Sequence, residues 1–320
     1  MHKFIICGTR NAKKGLSNGA KILSEGGSAL DAVESVIKIV ENNPKDWSVG
    51  YNGFPNLLGW TELDASIMIG STKQFGAVAG IKKYSNPISI ARKIMELSPH
   101  VFLIAEGAEN FAKSVGFVEA AILSEEMKRR YEQIMEGKSS QLIGDPDPII
   151  RLAKKYNSNI KEKLENFPYK DWYNKLSYKY HGTVNVLAKD NDGEIVGGVS
   201  TSGLALKFPG RVGDTPIIGA GLYVNKDAAV ACVGTGEITM RLCTAKTTID
   251  ELKNFQTSEV LKRRILEAKM LGDKGIIQIL VLKSNGEVQA ATNASVGEHL
   301  HVYLMTELDQ EPKKIRTTIY

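Results

Sequence analysis

The chain has 320 residues, 42% of them apolar and 24% charged, values that exclude a fibre or a disordered segment and allow one large α/β domain or two smaller ones. A formal charge of +5 is spread over short clusters, Lys13-Lys14, Lys128-Arg129-Arg130, Lys262-Arg263-Arg264 and Lys313-Lys314, each in charge-mixed surroundings. Without interleaved aromatics these read as solvated helix faces, which argues against a nucleic-acid partner, and no apolar run approaches the ~20 residues that span a bilayer.

In chain order, residues 3–8 (KFIICG) predict a buried strand ended by glycine. A short helix over LSNGAKILSEGG stops at Gly26-Gly27, and Ser28 with Asp31 opens a second, ALDAVESVIKIVENN, closed by Pro44. The glycine-rich SVGYNGFPNLLGW leads into a hairpin formed by DASIMIGS and FGAVAGIKKY. Helical periods follow in PISIARKIMELSP, AEGAENFAKSVG and SEEMKRRYEQIMEGK. From about Gly137 to Tyr180 the apolar period fades, which predicts a long surface loop or a loosely held helical segment.

Strand signals return in TVNVLAKD and EIVGGVST, joined by the turn Asn191-Asp192-Gly193, and continue in PIIGAGLYV and AAVACVG. Helices GEITMRLCTAKTTIDELKN and SEVLKRRILEAKMLG precede a closing hairpin, IIQILVLKSNGEVQAATN. Hairpins bracketing helix pairs fit an α+β fold of two stacked sheets with helices on each outer side. Cys7, Cys232 and Cys243 have no metal-ligand spacing and read as buried free thiols of a reducing compartment. The apolar stretch after Met1 is too short for a signal-peptide core, so a cytoplasmic location is expected.

Common catalytic signatures are missing. GAGLYV and GTGEIT contain GxG but not the full dinucleotide fingerprint, and there is neither a phosphate loop nor a GxSxG elbow. Glu298, His299 and His301 lack further ligands at useful spacing, so an ordinary polar strand is the better reading and no metal is expected. What remains is Gly182-Thr183, a threonine opening a strand directly after a glycine. A threonine hydroxyl needs an adjacent base, and its own α-amino group, with a pKa of about 8 when free, is one. Cleavage of the Gly182-Thr183 bond would unite nucleophile and base in one residue, with the β-branch restricting χ1. Taken as a dipeptide, Gly-Thr fits a simple turn into a strand equally well.

The surroundings are more specific. The stretch HGTVNVLAKDNDGEIVGGVSTSGLALKFPGRVGDTPIIGAG, followed by CVGTGEITMR, resembles the core of the N-terminal-threonine asparaginases, which comprise glycosylasparaginases and plant-type asparaginases with isoaspartyl peptidase activity. Upstream, GGSALDAVE, SVGYNGFPNLLGWTELDASIM and NPISIARKIMELSPHVFLIAEGAENFA are similar to the glycosylasparaginase branch in particular. The resemblance implies a single four-layer αββα sandwich, self-cleaved into an α chain of residues 1–182 and a β chain of 183–320. It further implies a dimer of αβ units and no required cofactor.

By the same resemblance Thr183 is the nucleophile and Thr201 the second threonine that orients it. Arg211 would hold the substrate α-carboxylate and Asp214 its α-ammonium; Gly234, Thr235 and Gly236 would line the substrate near the scissile carbonyl. The implied substrate is a small amino-acid amide cleaved at its β-carbonyl to release aspartate: N4-(β-N-acetylglucosaminyl)-L-asparagine, L-asparagine or a β-aspartyl peptide. Four positions depart from the pattern. Val233 stands where a threonine is usual, Asn185 where a glycine is, Gly182 where the glycosylasparaginase branch has aspartate, and Arg10 where that branch has tryptophan near the substrate. A same-fold protein that only binds, and an unrelated nucleotide enzyme built on the GxG turns, are the alternative readings.

Overall fold

The computed structural model describes residues 2–135, 181–271, 275–295 and 301–320. The long segment expected between Gly137 and Tyr180, and Glu298 with His299, lie outside the described residues. With β7 over Leu222–Val224, β11 over His301–Thr306 and β12 over Lys313–Arg316, an eight-stranded sheet has the order β12-β11-β1-β5-β6-β2-β3-β4, and a five-stranded sheet the order β13-β10-β9-β8-β7. Their centres are β1 (Ile5–Thr9), β5 (His181–Lys189), β6 (Ile195–Leu204), β2 (Leu63–Ile69) and β3 (Phe75–Ile81) in the first, and β8 (Ala228–Gly234) and β9 (Ile277–Lys283) in the second. Pairing is antiparallel except for β4 (Phe102–Ile104) on β3 and β13 (Thr318–Ile319) on β10 (Val288–Thr292).

Strand alternation explains how these sheets are covered. On β5, Val184, Val186 and Ala188 join one apolar cluster with helices α1 (Lys13–Ser24), α2 (Ala29–Glu41), α3 (Pro87–Leu97) and α4 (Ala105–Ser114). Leu187 of β5 and Val199 of β6 point the other way, into a cluster shared with Ala229, Ala231, Leu280 and Leu282 of the second sheet. The outer face of that second sheet, through Val230, Cys232, Ile277, Ile279 and Val281, meets helices α6 (Gly236–Leu242), α7 (Thr244–Glu251) and α8 (Thr257–Met270). The α+β class expected from the hairpin-and-helix pattern is therefore found. Counting α5 (Glu125–Met135), there are eight α-helices among the described residues.

Local chemistry sets the ends of these elements. Helix α2 buries Ala29, Ala32, Val33, Val36, Ile37 and Val40, a single stripe at helical spacing, and Ser28 Oγ accepts from the Asp31 N–H at 3.1 Å as its N-cap. At its other end Glu41 is fully buried, accepting from Ser200 Oγ at 2.7 Å, Asn86 Nδ2 at 3.1 Å and the Ile88 N–H at 3.2 Å. Burial pushes the Glu41 pKa up to about 8 against the pull of these donors, while its carboxyl ties α2, α3 and β6 together.

Several expectations are corrected. The helix expected over 236–254 divides at Cys243, which adopts a left-handed φ of 46°. The break lets the N–H groups of Ala245 and Lys246 bond the carbonyls of Ala220 and Gly219, so a tertiary contact overrides the helical period. It also leaves Cys243 exposed, whereas Cys7 and Cys232 are buried as expected. Of PIIGAGLYV only Leu222–Val224 forms a strand, β7; the residues before it make a turn. Lys313 and Lys314 lie not on a helix but on strand β12 (Lys313–Arg316), at the edge of the larger sheet, where lysine discourages edge-to-edge pairing.

Candidate active site

Strand β5 carries Thr183 and its neighbour β6 carries Thr201, and the two are direct cross-strand partners. A register shift falls between Gly182 and Thr183, so the bulge sits at the expected cleavage point. Thr183 is 8% exposed, and its hydroxyl has no hydrogen-bond partner among the described residues. Thr201 Oγ1 donates to the Gly182 carbonyl oxygen at 2.6 Å and accepts from the Gly203 N–H at 2.9 Å. The carbonyl of the Gly182-Thr183 bond is thus already polarised by a buried hydroxyl.

Glycine at 182 has a steric reason. A methyl group there would fall on Ser48 Cβ and Oγ. Ser48 cannot readily yield, because its N–H and hydroxyl donate to Asp46 Oδ1 at 3.0 and 2.6 Å, and its carbonyl accepts from Ser202 N–H and Oγ at 2.8 and 3.0 Å. An aspartate in this position would meet the same obstacle.

Gly203 pairs across the sheet with Gly182, and a methyl group on Gly203 would lie 3.5 Å from Arg211 Nη1. That contact places Arg211 against the β6 glycine two residues from Thr201. Its Nε and Nη2 donate to Glu237 Oε1 and Oε2 at 2.9 and 2.7 Å, a bidentate pair that fixes the guanidinium plane. Although burial opposes its charge, the Arg211 hydrogen bond holds the Glu237 carboxyl below the usual range. Asp214 is 5% exposed, and its Oδ2 accepts from Thr239 Oγ1 at 2.7 Å. Burial raises the Asp214 pKa to about 6, opposed by the Thr239 bond and the Arg211 charge.

Both GxG turns are spent on Asp214. Gly221 N–H donates to the Asp214 carbonyl at 3.2 Å, and a methyl group on Gly236 would lie 2.7 Å from Asp214 N and 2.9 Å from its Oδ1. Gly234, with φ 132°, turns the chain from β8 into α6 in a conformation few other residues adopt. The Thr235 hydroxyl is buried without a partner among the described residues, against Gly275, near Ile238 on the helix-covered side of the small sheet. Val233 pairs with Gln278, so the register leaves a valine, not Thr235, on the inward-facing row of Ala229 and Ala231.

A model of the family described as asparaginase matches residues 7–303. The chain belongs to the asparaginase family. It is 38% identical over 289 residues to the plant-type L-asparaginase of Pyrococcus abyssi, covering 90% of this chain and 86% of that protein. It is 36% identical over 248 residues to the N(4)-(β-N-acetylglucosaminyl)-L-asparaginase of Elizabethkingia miricola, 77% of this chain and 63% of that one. The isoaspartyl peptidase/L-asparaginase of Mus musculus is 34% identical over 284 residues, 88% of this chain and 77% of its own length. The likeness thus extends across plant-type and glycosylasparaginase relatives alike. This asparaginase-family chain is a hydrolase of the N-terminal-nucleophile type, an amidohydrolase of aspartyl amides.

Sequence reasoning missed the residues that support the candidate site through geometry. Thr9, at the end of β1, accepts from the Asn185 N–H at 3.0 Å where the β1–β5 ladder has run out of backbone partners. Lys207 is fully buried, donating to the Glu62 carbonyl at 3.0 Å beside the buried Asp64. Burial drives the Lys207 pKa down and the Asp64 pKa up, and each charge opposes the other's shift. Glu62 in turn accepts from the Gly210 N–H at 3.1 Å, which anchors the loop bearing Arg211. None of these pairings joins neighbours in sequence, so no spacing announces them. Among the described residues no helix is long and apolar enough to cross a membrane.

The raised Asp214 pKa has a measurable consequence in this candidate site. If Asp214 receives a ligand ammonium, it must be ionised, so affinity for L-aspartate should fall roughly tenfold per pH unit below about 6. Thr239→Val removes a bond that favours the carboxylate and should move this limb to higher pH, as calorimetric titrations across pH would show. For the unliganded protein the sign is opposite. A carboxyl whose folded pKa exceeds its unfolded value binds more protons when folded, so this group adds stability as pH falls from 6 towards 4.

Proposed function

We propose that the chain is a self-processing N-terminal-threonine amidohydrolase with the αββα sandwich architecture, cut between Gly182 and Thr183, that hydrolyses L-asparagine or a related β-aspartyl amide to aspartate. The observation that carries this reading is the 2.6 Å bond from Thr201 Oγ1 to the Gly182 carbonyl, beside Thr183, a residue only 8% exposed. In self-cleavage Thr183 Oγ1 adds to the Gly182 carbonyl carbon and the C–N bond breaks, giving an ester that water hydrolyses. Thr183 then carries a free α-amine.

In turnover the amine accepts the hydroxyl proton as Thr183 Oγ1 attacks the substrate β-carbonyl carbon. The tetrahedral intermediate collapses, the proton passes to the leaving nitrogen, and a β-aspartyl ester remains for water to release as aspartate. Arg211 and Asp214 support a substrate with both α-carboxylate and α-ammonium free, which fits asparagine, a β-aspartyl peptide and a glycoasparagine equally. Exposed Arg10, at the end of β1 beside Thr9, replaces the aromatic residue expected near a sugar and favours the smaller amides. The αβ units pair as a dimer on this reading, and no cofactor takes part.

Intact-mass measurement of the purified protein, followed by a panel of L-asparagine, a β-aspartyl dipeptide and glycoasparagine, tests the proposal. Two polypeptides starting at Met1 and Thr183 are expected, with aspartate released fastest from one of the first two amides. An unbroken chain releasing no aspartate from any of them would support the binding-protein alternative instead.

A further inference from the structure

Asn185 lies two residues beyond Thr183 on β5 and on the same side of the strand, facing the second sheet with Thr201 and Val199. It is 0% exposed, yet neither its Oδ1 nor its Nδ2 has a hydrogen-bond partner among the described residues. Its backbone N–H is satisfied by Thr9, so the orphaned part is the side-chain amide alone. A buried carboxamide without partners is costly, and a fold keeps one only where something else repays it. Across the gap, β5 packs on β8, whose inward row Ala229, Ala231 and Val233 offers no polar side chain to meet it.

Resting on the hydrolase reading above, we propose that Asn185 is a catalytic residue whose Nδ2 donates a hydrogen bond to the oxyanion formed when Thr183 attacks the amide carbonyl. Successive same-side residues on a strand are about 6.7 Å apart, a span that an asparagine side chain and a carbonyl oxygen on the threonine-bound carbon bridge together. The electron pair of the broken C=O π bond rests on that oxygen while the hydroxyl proton resides on the Thr183 amine. Among the described residues the buried amide has no acceptor to compete with a developing oxyanion, and a donor shielded from water in this way is most effective towards charge.

Asn185→Leu and Asn185→Gly test this, with turnover measured per cut active site. Both are expected to lower kcat roughly 100- to 1,000-fold with KM within about threefold. The leucine variant, relieved of two unpartnered polar atoms, should melt no earlier than the parent. Adding Val233→Thr to Asn185→Gly, which supplies a hydroxyl on the inward row of β8, should recover at least tenfold of the loss. The assignment is overturned if both variants keep kcat within threefold, or if only the leucine variant loses it, since packing would then be the cause. Failure of the parent protein to release aspartate would overturn the hydrolase reading itself, whereas release indifferent to residue 185 removes only this assignment.

Discussion

Thr183→Ala is expected to leave a single polypeptide of 320 residues and to remove turnover, with kcat lowered on the order of a million-fold, as when other hydrolases lose their nucleophile. On the proposed mechanism the two losses share one cause, because the same hydroxyl would cut the chain and attack the substrate. Thr183 is buried and paired with Thr201, so trimming it to alanine leaves β5 and β6 in register and the fold intact. Thr183→Ser, which keeps the hydroxyl but loses the β-methyl that restricts χ1, should still cut and turn over more slowly. Mass spectrometry and an aspartate-release assay read both. A cut or active alanine variant would show that another group is the nucleophile.

Asp214→Ala is expected to give a normally cut protein whose affinity for L-aspartate falls by about 30-fold or more. Removing one partner of a buried charge pair costs about 2–5 kcal/mol, and each 1.4 kcal/mol is a factor of ten. The effect should fall on the ligand rather than on the fold, because Arg211 keeps both of its bonds to Glu237. Isothermal titration of the cut variant decides the matter, and unchanged affinity would remove Asp214 from the ammonium site.

Glu237 changes how the proposed amino-acid clamp works. The resemblance assigns Arg211 and Asp214 to the two charged groups of the substrate, and the structure gives Arg211 a bidentate partner from α6, leaving Nη1 beside Gly203. The guanidinium is therefore oriented before any carboxylate arrives. Asp214 is held separately by Thr239 and by the two glycine turns that resembled nucleotide loops in the sequence. Those turns serve the same site from two directions.

The sequence by itself determined most of the element pattern, because strand alternation and helix period are local properties written residue by residue, whereas Thr183, Thr201, Arg211 and Asp214 are singled out as candidates by the family resemblance and not by period or spacing. It could not reveal that Ser48 dictates glycine at 182, that Glu237 aligns Arg211, or that Cys243 breaks a helix to let α7 meet the 219–220 turn. Nor could it show the Asn185 side-chain amide buried with no partner among the described residues. Those facts depend on contacts between segments separated by tens or hundreds of positions, and only packing of the whole chain decides which side chains meet and which buried groups are left unsatisfied.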